Sequence, residues 1–336
     1  MLSENLFKKE EEKASQVENT LLSLLNLNKD DNKIFEVDNL NITREKSKHI
    51  FPVDNSIEIS AIVSAEESKN VFLINSGADR VLQNLNTSLA DNLIKIYRGL
   101  LKVVSRFSDN KNKDINLSVL NMIQKDSKDK YHDVSLMRNL GQVNIFVPAD
   151  ANEAEYLIRV SEKKFFKNNQ KQFSYFRLVN DFSPKIYSDN YFINNQNDTL
   201  REYTGMPEIV HISSNLDSAF RVGIIASGPI LYNALVAAKD LEEKNYNVTV
   251  LNMSLISSNS EYINQKIKSF IANFANNNRN ILTIEEHSKV GGLGSLVAES
   301  VAEIKKDNIV RVERLGLEDD LSPRNIIAKC EEICGW

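Results

Sequence analysis

Short apolar runs alternate with segments of helical spacing throughout the C-terminal part of the chain. The runs are Val222–Ala226, Val248–Met253, Ile281–Ile284 and Val310–Leu315, and the segments between them are Ile230–Lys244, Glu261–Phe274 and Leu293–Ile304. A short continuous apolar run is typical of a strand buried on both faces, and apolar residues at helical spacing indicate a helix packed on one side. Because strands that alternate with helices form parallel sheets, we expect a compact α/β domain here.

The preceding part of the chain shows the same pattern less regularly. Strands are predicted at Lys33–Val37, Val71–Ile74, Val143–Val147 and Phe173–Leu178, and helices at residues 12–27 and Val134–Leu140. Residues 108–133 are polar and rich in Lys and Asp, so we expect mostly loop there. A further helix is predicted after Pro148, because Asp150 and Glu153 have the spacing of a capping box.

A long polar stretch with prolines separates the two patterned regions and indicates a domain boundary. We therefore predict a first domain over residues 1–185, a linker over residues 186–219 and a second domain over residues 220–336. The predicted fold class is α/β, with two domains that each contain a mostly parallel sheet flanked by helices.

Composition excludes several classes of protein. The chain has 336 residues with a net charge of −5, which argues against a nucleic-acid-binding surface, since phosphate binding needs clustered Lys and Arg. No apolar run approaches the ~20 residues of a membrane helix, and the charged N-terminal sequence does not resemble a secretory signal. The two cysteines, Cys330 and Cys334, are too few for a zinc site and indicate reduced thiols in a cytoplasmic protein.

The stretch Ile281–Glu303 holds the clearest candidate chemistry. Its apolar run ends at Glu285-Glu286-His287, and the flexible step Gly291-Gly292-Leu293-Gly294-Ser295 precedes the next helix. We expect this loop at the carboxyl end of a parallel strand, the edge where open α/β sheets bind ligands. Ser295 is a candidate cap for that helix, whose first N–H groups attract anions.

These stretches resemble the transketolase family. RVGIIASGPILYNALVAAKDLEEKNYNVTVLNM and ILTIEEHSKVGGLGSLVAES are similar to the C-terminal domain of transketolases and deoxyxylulose-phosphate synthases. DVSLMRNLGQVNIFVPADANEAEYLIR is similar to part of the family's pyrimidine-binding domain, including its Pro-Ala-Asp element. The resemblance implies a thiamine diphosphate-binding pyrimidine domain followed by a transketolase C-terminal-like domain.

The family's diphosphate-binding motif, Gly-Asp-Gly, does not occur in this sequence. The resemblance therefore implies one half of a split enzyme that transfers a two-carbon ketol unit from a ketose to an aldehyde or sugar acceptor. A separate N-terminal-type subunit would hold the diphosphate and the magnesium ion, with no metal bound by this chain itself. Cofactor clefts between paired subunits imply a heterotetramer.

Glu58 is the predicted catalytic and cofactor-binding residue. It stands where the family has a glutamate that hydrogen-bonds the cofactor's aminopyrimidine ring, a task that needs a carboxyl group held in an apolar place. The alternative is an ordinary glutamate on a helix surface. The neighbours Ile57, Ile59 and Ala61 argue against full exposure.

Other positions of the family's substrate site differ in this sequence. Lys128 stands near the position of a substrate histidine, and Arg177 and Asn180 stand where the family has two arginines. The second arginine contacts a substrate phosphate in the family, and asparagine cannot replace its charge. The replacement predicts an acceptor without the usual terminal phosphate.

His287 has two interpretations. It lies at the predicted carboxyl end of a strand, from which it would reach the cofactor cleft across an interface, or it is a structural histidine that binds the loop around Gly291. We favour the structural interpretation. The altered substrate site also leaves a competing hypothesis for the whole chain, a non-catalytic subunit with a structural or regulatory role in a hetero-oligomer.

Overall fold

The computed structural model describes residues 132–303 and 309–335, apart from residues 142, 163–171, 180–181 and 195–198, together with the backbone of five strands before residue 132. Glu58 and Lys128 lie outside the described residues. The described strands are β1 Lys13–Ser15, β2 Asn32–Val37, β3 Ile50–Pro52, β4 Asn70–Asn75, β5 Asn116–Ile123, β6 Asn144–Phe146, β7 Gln172–Val179, β8 Phe182–Pro184, β9 Ile193–Asn194, β10 Thr199–Leu200, β11 Glu208–Ile212, β12 Arg221–Ser227, β13 Asn247–Asn252, β14 Leu255–Ser257, β15 Asn280–Glu285 and β16 Arg311–Leu315. The described helices are α1 Asp133–Asn139, α2 Ala151–Glu162, α3 Leu231–Glu243, α4 Glu261–Asn278, α5 Leu293–Ala302 and α6 Pro323–Cys334.

The second sheet has five strands in the order β11-β13-β12-β15-β16. Strands β13, β12, β15 and β16 are parallel, and β11 joins the edge antiparallel to β13. The predicted strands and the helices between them are confirmed in this part of the chain. Two helix pairs cover the sheet, α3 with α6 and α4 with α5. Helix α6 begins at Pro323 behind Ser322, whose hydroxyl accepts a bond from Asn325 N.

The first sheet has seven strands in the order β14-β6-β7-β5-β4-β2-β3. Strands β2 to β7 are parallel, whereas β14 enters from the C-terminal part of the chain and pairs antiparallel with β6. Helices α1 and α2 pack beside this sheet. The predicted fold class, an α/β protein with mostly parallel sheets flanked by helices, is confirmed for these two sheets. The domain boundaries themselves stay a prediction.

Two local predictions are wrong. Strand β5 lies inside the polar segment that was expected to be loop, and β1 lies inside the predicted helix over residues 12–27. Strand β5 is a central strand, paired on both sides, so tertiary pairing decides its structure rather than local polarity. Strand β11 lies within the stretch predicted as linker and pairs with β13.

The capping box at the start of α2 is confirmed. Asp150 Oδ1 accepts a hydrogen bond from Glu153 N at 2.8 Å, and Glu153 Oε2 accepts one from Ala149 N at 2.6 Å. Asp150 Oδ2 also accepts bonds from the backbone nitrogens of Ile186 and Tyr187, both at 2.7 Å. The capping residue Asp150 therefore also holds the segment at Ile186 and Tyr187 against the start of α2.

Candidate functional site

The carboxyl ends of the two parallel sheets face each other across a buried junction. Val147, which directly follows β6, lies so close to Gly228 that a Cβ atom there would be 3.1 Å from Val147 Cγ1. Gly228 follows β12, at the point where the chain order in the second sheet reverses. In open α/β sheets this point usually forms a ligand crevice. Here Val147, which follows β6 of the first sheet, packs against Gly228 at this point.

Arg177 of β7 crosses this junction. Its guanidinium is buried, donates from Nη2 to the carbonyl oxygen of Glu286 at 2.8 Å, and lies with Nε 3.5 Å from Asp133 Oδ1. Burial alone would lower the pKa of Arg177, but the nearby Asp133 and Glu286 carboxylates raise it above its usual value. The charge of this predicted site residue is thus balanced inside the protein.

His287 lies beside the same carboxylate. Its Nδ1 is 2.7 Å from the carbonyl oxygen of Ser288, so Nδ1 carries the proton that makes this bond. Its Nδ1 is also 3.6 Å from Glu285 Oε2, and its Nε2 is 4.0 Å from Asp133 Oδ1. The ring is buried, at 3 % exposure. This geometry binds the histidine to its own loop and to the start of α1.

The glycines after His287 permit close approach of one chain segment to another. A Cβ atom at Gly292 would collide with the Glu285 carboxylate and lie 2.7 Å from His287 Nδ1. Gly291 has a φ of +76°, and a Cβ atom there would lie 2.5 Å from Ser135 Cβ of α1. The Gly-Gly step therefore fits between the polar loop and the first domain.

The amino terminus of α5 already binds a negative group. Glu285 Oε2 accepts from Leu293 N at 2.7 Å and Glu285 Oε1 accepts from Gly294 N at 2.8 Å. The prediction that Ser295 caps this helix is wrong, because Gly292 is the N-cap residue. The Ser295 hydroxyl instead accepts from Gly291 N and donates to Lys289 O. The expected anion position is thus filled by the chain's own carboxylate.

Two residues that the sequence pattern did not single out hold the junction together. Arg138 of α1 donates from Nη1 to the carbonyl oxygens of Gly291 and Gly292 at 2.9 and 3.1 Å, and from Nη2 to Glu299 Oε2 at 2.8 Å. Asp133, the first residue of α1, accepts a 2.7 Å bond from the Tyr175 hydroxyl. The acidic first turn was visible in the sequence, but its partners come from distant segments.

A second polar network crosses the junction beside α2. Asn252, at the end of β13, donates to Glu153 Oε1 at 2.8 Å and to the Tyr187 hydroxyl at 2.7 Å, and that hydroxyl donates to Glu208 Oε2 at 3.2 Å. The pKa of Glu153 is raised to about 8, mainly by burial and also by the charge of Asp150, against the lowering effect of the bonds from Ala149 and Asn252. Burial raises the pKa of Asp150 itself to about 6.

Among the described residues, no group of three His, Cys, Asp or Glu side chains is arranged to hold a metal ion. Within the same residues, no helix is both long and apolar enough to cross a membrane.

The C-terminal part of the chain is similar to a known protein family. Residues 215–326 match the family model described as transketolase, C-terminal domain. This part of the chain is similar to the C-terminal domain of transketolases. The predicted resemblance to transketolases is therefore confirmed.

Relatives are similar to this chain over a longer stretch than residues 215–326. A subunit of apulose-4-phosphate transketolase from Actinobacillus succinogenes is 30% identical over 173 residues, which are 51% of this chain and 46% of that protein. The protein of the same name from Phocaeicola vulgatus is 28% identical over 189 residues, 56% of this chain and 51% of that protein. The chain thus spans about half the length of these relatives.

Solved structures of transketolases share the fold. A split-gene transketolase, solved as an inactive β4 tetramer, matches with a TM-score of 0.68 at 19% identity, covering 96% of this chain and 99% of that one. Transketolase from Campylobacter jejuni matches with a TM-score of 0.59 at 12% identity, covering 98% of this chain and 49% of that one. These two structures and this chain therefore share a fold.

Proposed function

We propose that the chain is the C-terminal subunit of a split, thiamine diphosphate-dependent transketolase-like enzyme. The reaction would transfer a two-carbon ketol unit from a ketose to an aldehyde or sugar acceptor. The observation that carries the proposal is the similarity, over 173 residues, to a protein named as a single subunit of a transketolase. This similarity is longer than the matched C-terminal domain, so it extends beyond that domain into more of the chain.

The cofactor would lie at the carboxyl edge of the first sheet, where open parallel sheets bind ligands. Glu58 follows β3 in sequence, and β3 is parallel to β2, so its carboxyl end lies at the same edge as those of β5 and β7. This strand order supports a role for Glu58 in holding the aminopyrimidine ring. Thiamine diphosphate, when bound, supplies the nucleophilic carbon that takes up the ketol unit.

The partner subunit would bring the remaining half of the site. It would be an N-terminal-type transketolase subunit with a Gly-Asp-Gly motif, which would hold the diphosphate and the magnesium ion. Two copies of each subunit would form a heterotetramer. We place this assembly in the cytoplasm, and the two free thiols of Cys330 and Cys334 support that location.

The acceptor would lack the terminal phosphate of ordinary transketolase substrates. Asn180 replaces one expected arginine, and the charge of Arg177 is balanced by Asp133 and bonded to the Glu286 carbonyl. A phosphate would have to compete with these buried contacts for Arg177. The names of the relatives contain a sugar phosphate, so that class of sugar is the first donor to test.

The decisive assay reconstitutes the chain with its N-terminal-type partner, thiamine diphosphate and magnesium. Ketol transfer is measured from a ketose phosphate to phosphorylated and unphosphorylated aldehydes. We expect Glu58→Ala to reduce kcat by about a hundredfold or more, the usual range for loss of a proton-transfer group. Glu243→Ala, at an exposed position of α3, serves as the matched control. Activity that is indifferent to Glu58→Ala would contradict the assigned role.

The same assay separates the enzyme from a subunit with a purely structural or regulatory role. Such a subunit would form a stable complex with the partner, detectable by its mass in solution, without ketol transfer from any donor. An inactive complex of correct mass and bound cofactor would therefore favour this second function.

A further inference from the structure

Asp133 joins three parts of the molecule. It is the first residue of α1, it accepts a 2.7 Å hydrogen bond from the Tyr175 hydroxyl of β7, and it lies 3.5 Å from Arg177 Nε. Its Oδ1 is also 4.0 Å from Nε2 of His287, which belongs to the second domain. The carboxyl group is buried, at 5 % exposure. One carboxylate thus contacts α1, β7 and the loop after β15.

The partners of Asp133 require a charged carboxylate. The Tyr175 hydroxyl donates a hydrogen bond to Oδ2, and the positive charge of Arg177 faces Oδ1. Oδ1, Arg177 Nε and His287 Nε2 are all buried without a direct hydrogen bond in the part of the chain that the structure describes. Charge attraction therefore holds this side of the cluster, and a neutral side chain of the same shape cannot replace it.

The cluster lies at the ligand edge of the first sheet. Helix α1 follows β5 in the chain and begins at Asp133, and Arg177 lies two residues before the end of β7 at Val179. The carboxyl ends of the parallel strands β5 and β7 lie at the edge where ligands bind in such sheets. Asp133 thus fixes the start of α1 to the carboxyl end of β7.

We propose that Asp133 is a positioning residue of the ketol-transfer site, holding the start of α1 and the carboxyl end of β7 in register with the second domain through Arg177 and His287. The inference rests on the proposed function, because it assigns that site's geometry to a contact between domains. The second domain then contributes to sugar binding without touching the sugar. Positioning of this kind changes the KM for the sugar, since a small displacement of binding groups weakens their contacts with substrate.

The first test uses the reconstituted enzyme with Asp133→Asn and Tyr175→Phe, which remove the charge and the hydroxyl donor separately. We expect the KM for the ketose donor to rise about tenfold in Asp133→Asn and severalfold in Tyr175→Phe, while the Kd for thiamine diphosphate changes by less than about twofold. The control is Asn252→Ala, which breaks the network beside α2 at the other end of the same junction. A KM rise of equal size in Asn252→Ala would show a general loosening of the domains and overturn the assignment.

A second measurement does not depend on activity. Amide hydrogen exchange of the chain alone should accelerate about tenfold in α1, at the end of β7 and at His287 in both Asp133→Asn and Tyr175→Phe, but not in Asn252→Ala. If the wild-type complex transfers no ketol unit, the proposed function fails and this exchange pattern alone decides the positional role. Amide exchange rates at α1 and β7 equal to those of wild type in the folded Tyr175→Phe protein would overturn the positioning role. Should Asp133→Asn fail to fold, Tyr175→Phe carries both measurements.

Discussion

The Glu285 carboxylate binds the backbone nitrogen of Leu293 at 2.7 Å and thereby closes the amino terminus of α5. Gly294 N adds a second bond to the other carboxylate oxygen at 2.8 Å. A helix amino terminus at the carboxyl edge of a parallel sheet is a general anion site, and here the anion is part of the strand that precedes the helix. The glycine-rich motif therefore binds a carboxylate of its own chain.

We expect Glu285→Gln to lower the free energy of unfolding by about 2 kcal/mol, because the amide removes the negative charge and turns one acceptor into a donor that faces an N–H group. Urea unfolding followed by circular dichroism measures this loss. The exposed Glu318→Gln in the following loop is the control and should change the free energy by less than about 0.5 kcal/mol. Equal stabilities of the two variants would mean that water replaces the carboxylate without cost.

Gly292→Ala tests the close approach directly. Its φ of −89° suits any residue, so the cost comes from collision with the Glu285 carboxylate and His287 Nδ1, and we expect about 2 kcal/mol or more. Gly141→Ala provides the comparison, because φ there is +72° and nothing lies within 4 Å of the new Cβ, so backbone strain alone should cost about 1 kcal/mol. The expected order of unfolding midpoints is wild type, Gly141→Ala, Gly292→Ala. If Gly141→Ala were less stable than Gly292→Ala, backbone strain would destabilise the protein more than the steric collision at Gly292 does.

The second domain was predictable because its strands are buried on both faces. Such strands are continuous apolar runs, and Val222–Ala226 and Ile281–Ile284 appear in the structure within one or two residues of their predicted bounds. Strand β5 lacks this pattern, since Asn116, Ser118 and Asn121 interrupt its apolar residues. It is a strand because β4 and β7 pair with it on both sides, information that a local pattern does not contain.

The sequence predicted which residues belong to the candidate site, but it did not predict which residues they contact. Arg177 and His287 were singled out in the sequence, and the structure places both beside Asp133. Residues 133 and 287 are far apart along the chain, so nothing in local spacing connects them. Whether Arg177 and His287 act in the reaction stays a prediction, as do the roles of Glu58 and Lys128, which lie outside the described residues.

Buried Glu153 predicts a pH dependence of stability. Because its pKa is raised from 4.5 to about 8 in the folded state, the folded protein keeps this proton over a pH range in which the unfolded chain has lost it. The stabilising contribution is therefore complete below about pH 4.5 and falls as pH rises through about 8. Glu153→Gln mimics the neutral acid, so its stability relative to wild type should increase between pH 5 and 8.

The measurement is a series of urea titrations across this pH range. The difference in unfolding free energy between wild type and Glu153→Gln cancels the contributions of the titrating groups that both proteins share. We expect the difference to change by a few kcal/mol. Glu243→Gln, at an exposed position, should show a constant difference. A constant difference for Glu153→Gln as well would mean that Glu153 is charged in the folded protein at neutral pH.

The two cysteines should react at very different rates in folded and unfolded protein. Cys330 is fully buried, and burial raises the pKa of its thiol far above the usual value; burial also raises the pKa of the half-buried Cys334 to about 11. Since the thiolate is the reactive form, alkylation of Cys334 at pH 8 should be roughly a hundredfold slower than that of a free thiol, and Cys330 should react only on unfolding. Mass spectrometry over time, with and without urea, checks both. Rapid labelling of Cys330 in the folded protein would contradict its burial.

Arg138→Met should weaken the contact between α1 and the loop after β15. Arg138 bonds the carbonyl oxygens of Gly291 and Gly292 as well as the exposed Glu299, and loss of charged bonds to two partly buried carbonyls should cost about 2 kcal/mol. Glu299→Gln removes only the exposed ion pair and should cost less than about 1 kcal/mol. The double variant should therefore be about as stable as Arg138→Met alone, because Glu299 has no charge partner left there. Urea unfolding of the three variants supplies the cycle. Equal losses in the two single variants would mean that the exposed ion pair, and not the two carbonyls, fastens α1 to the second domain.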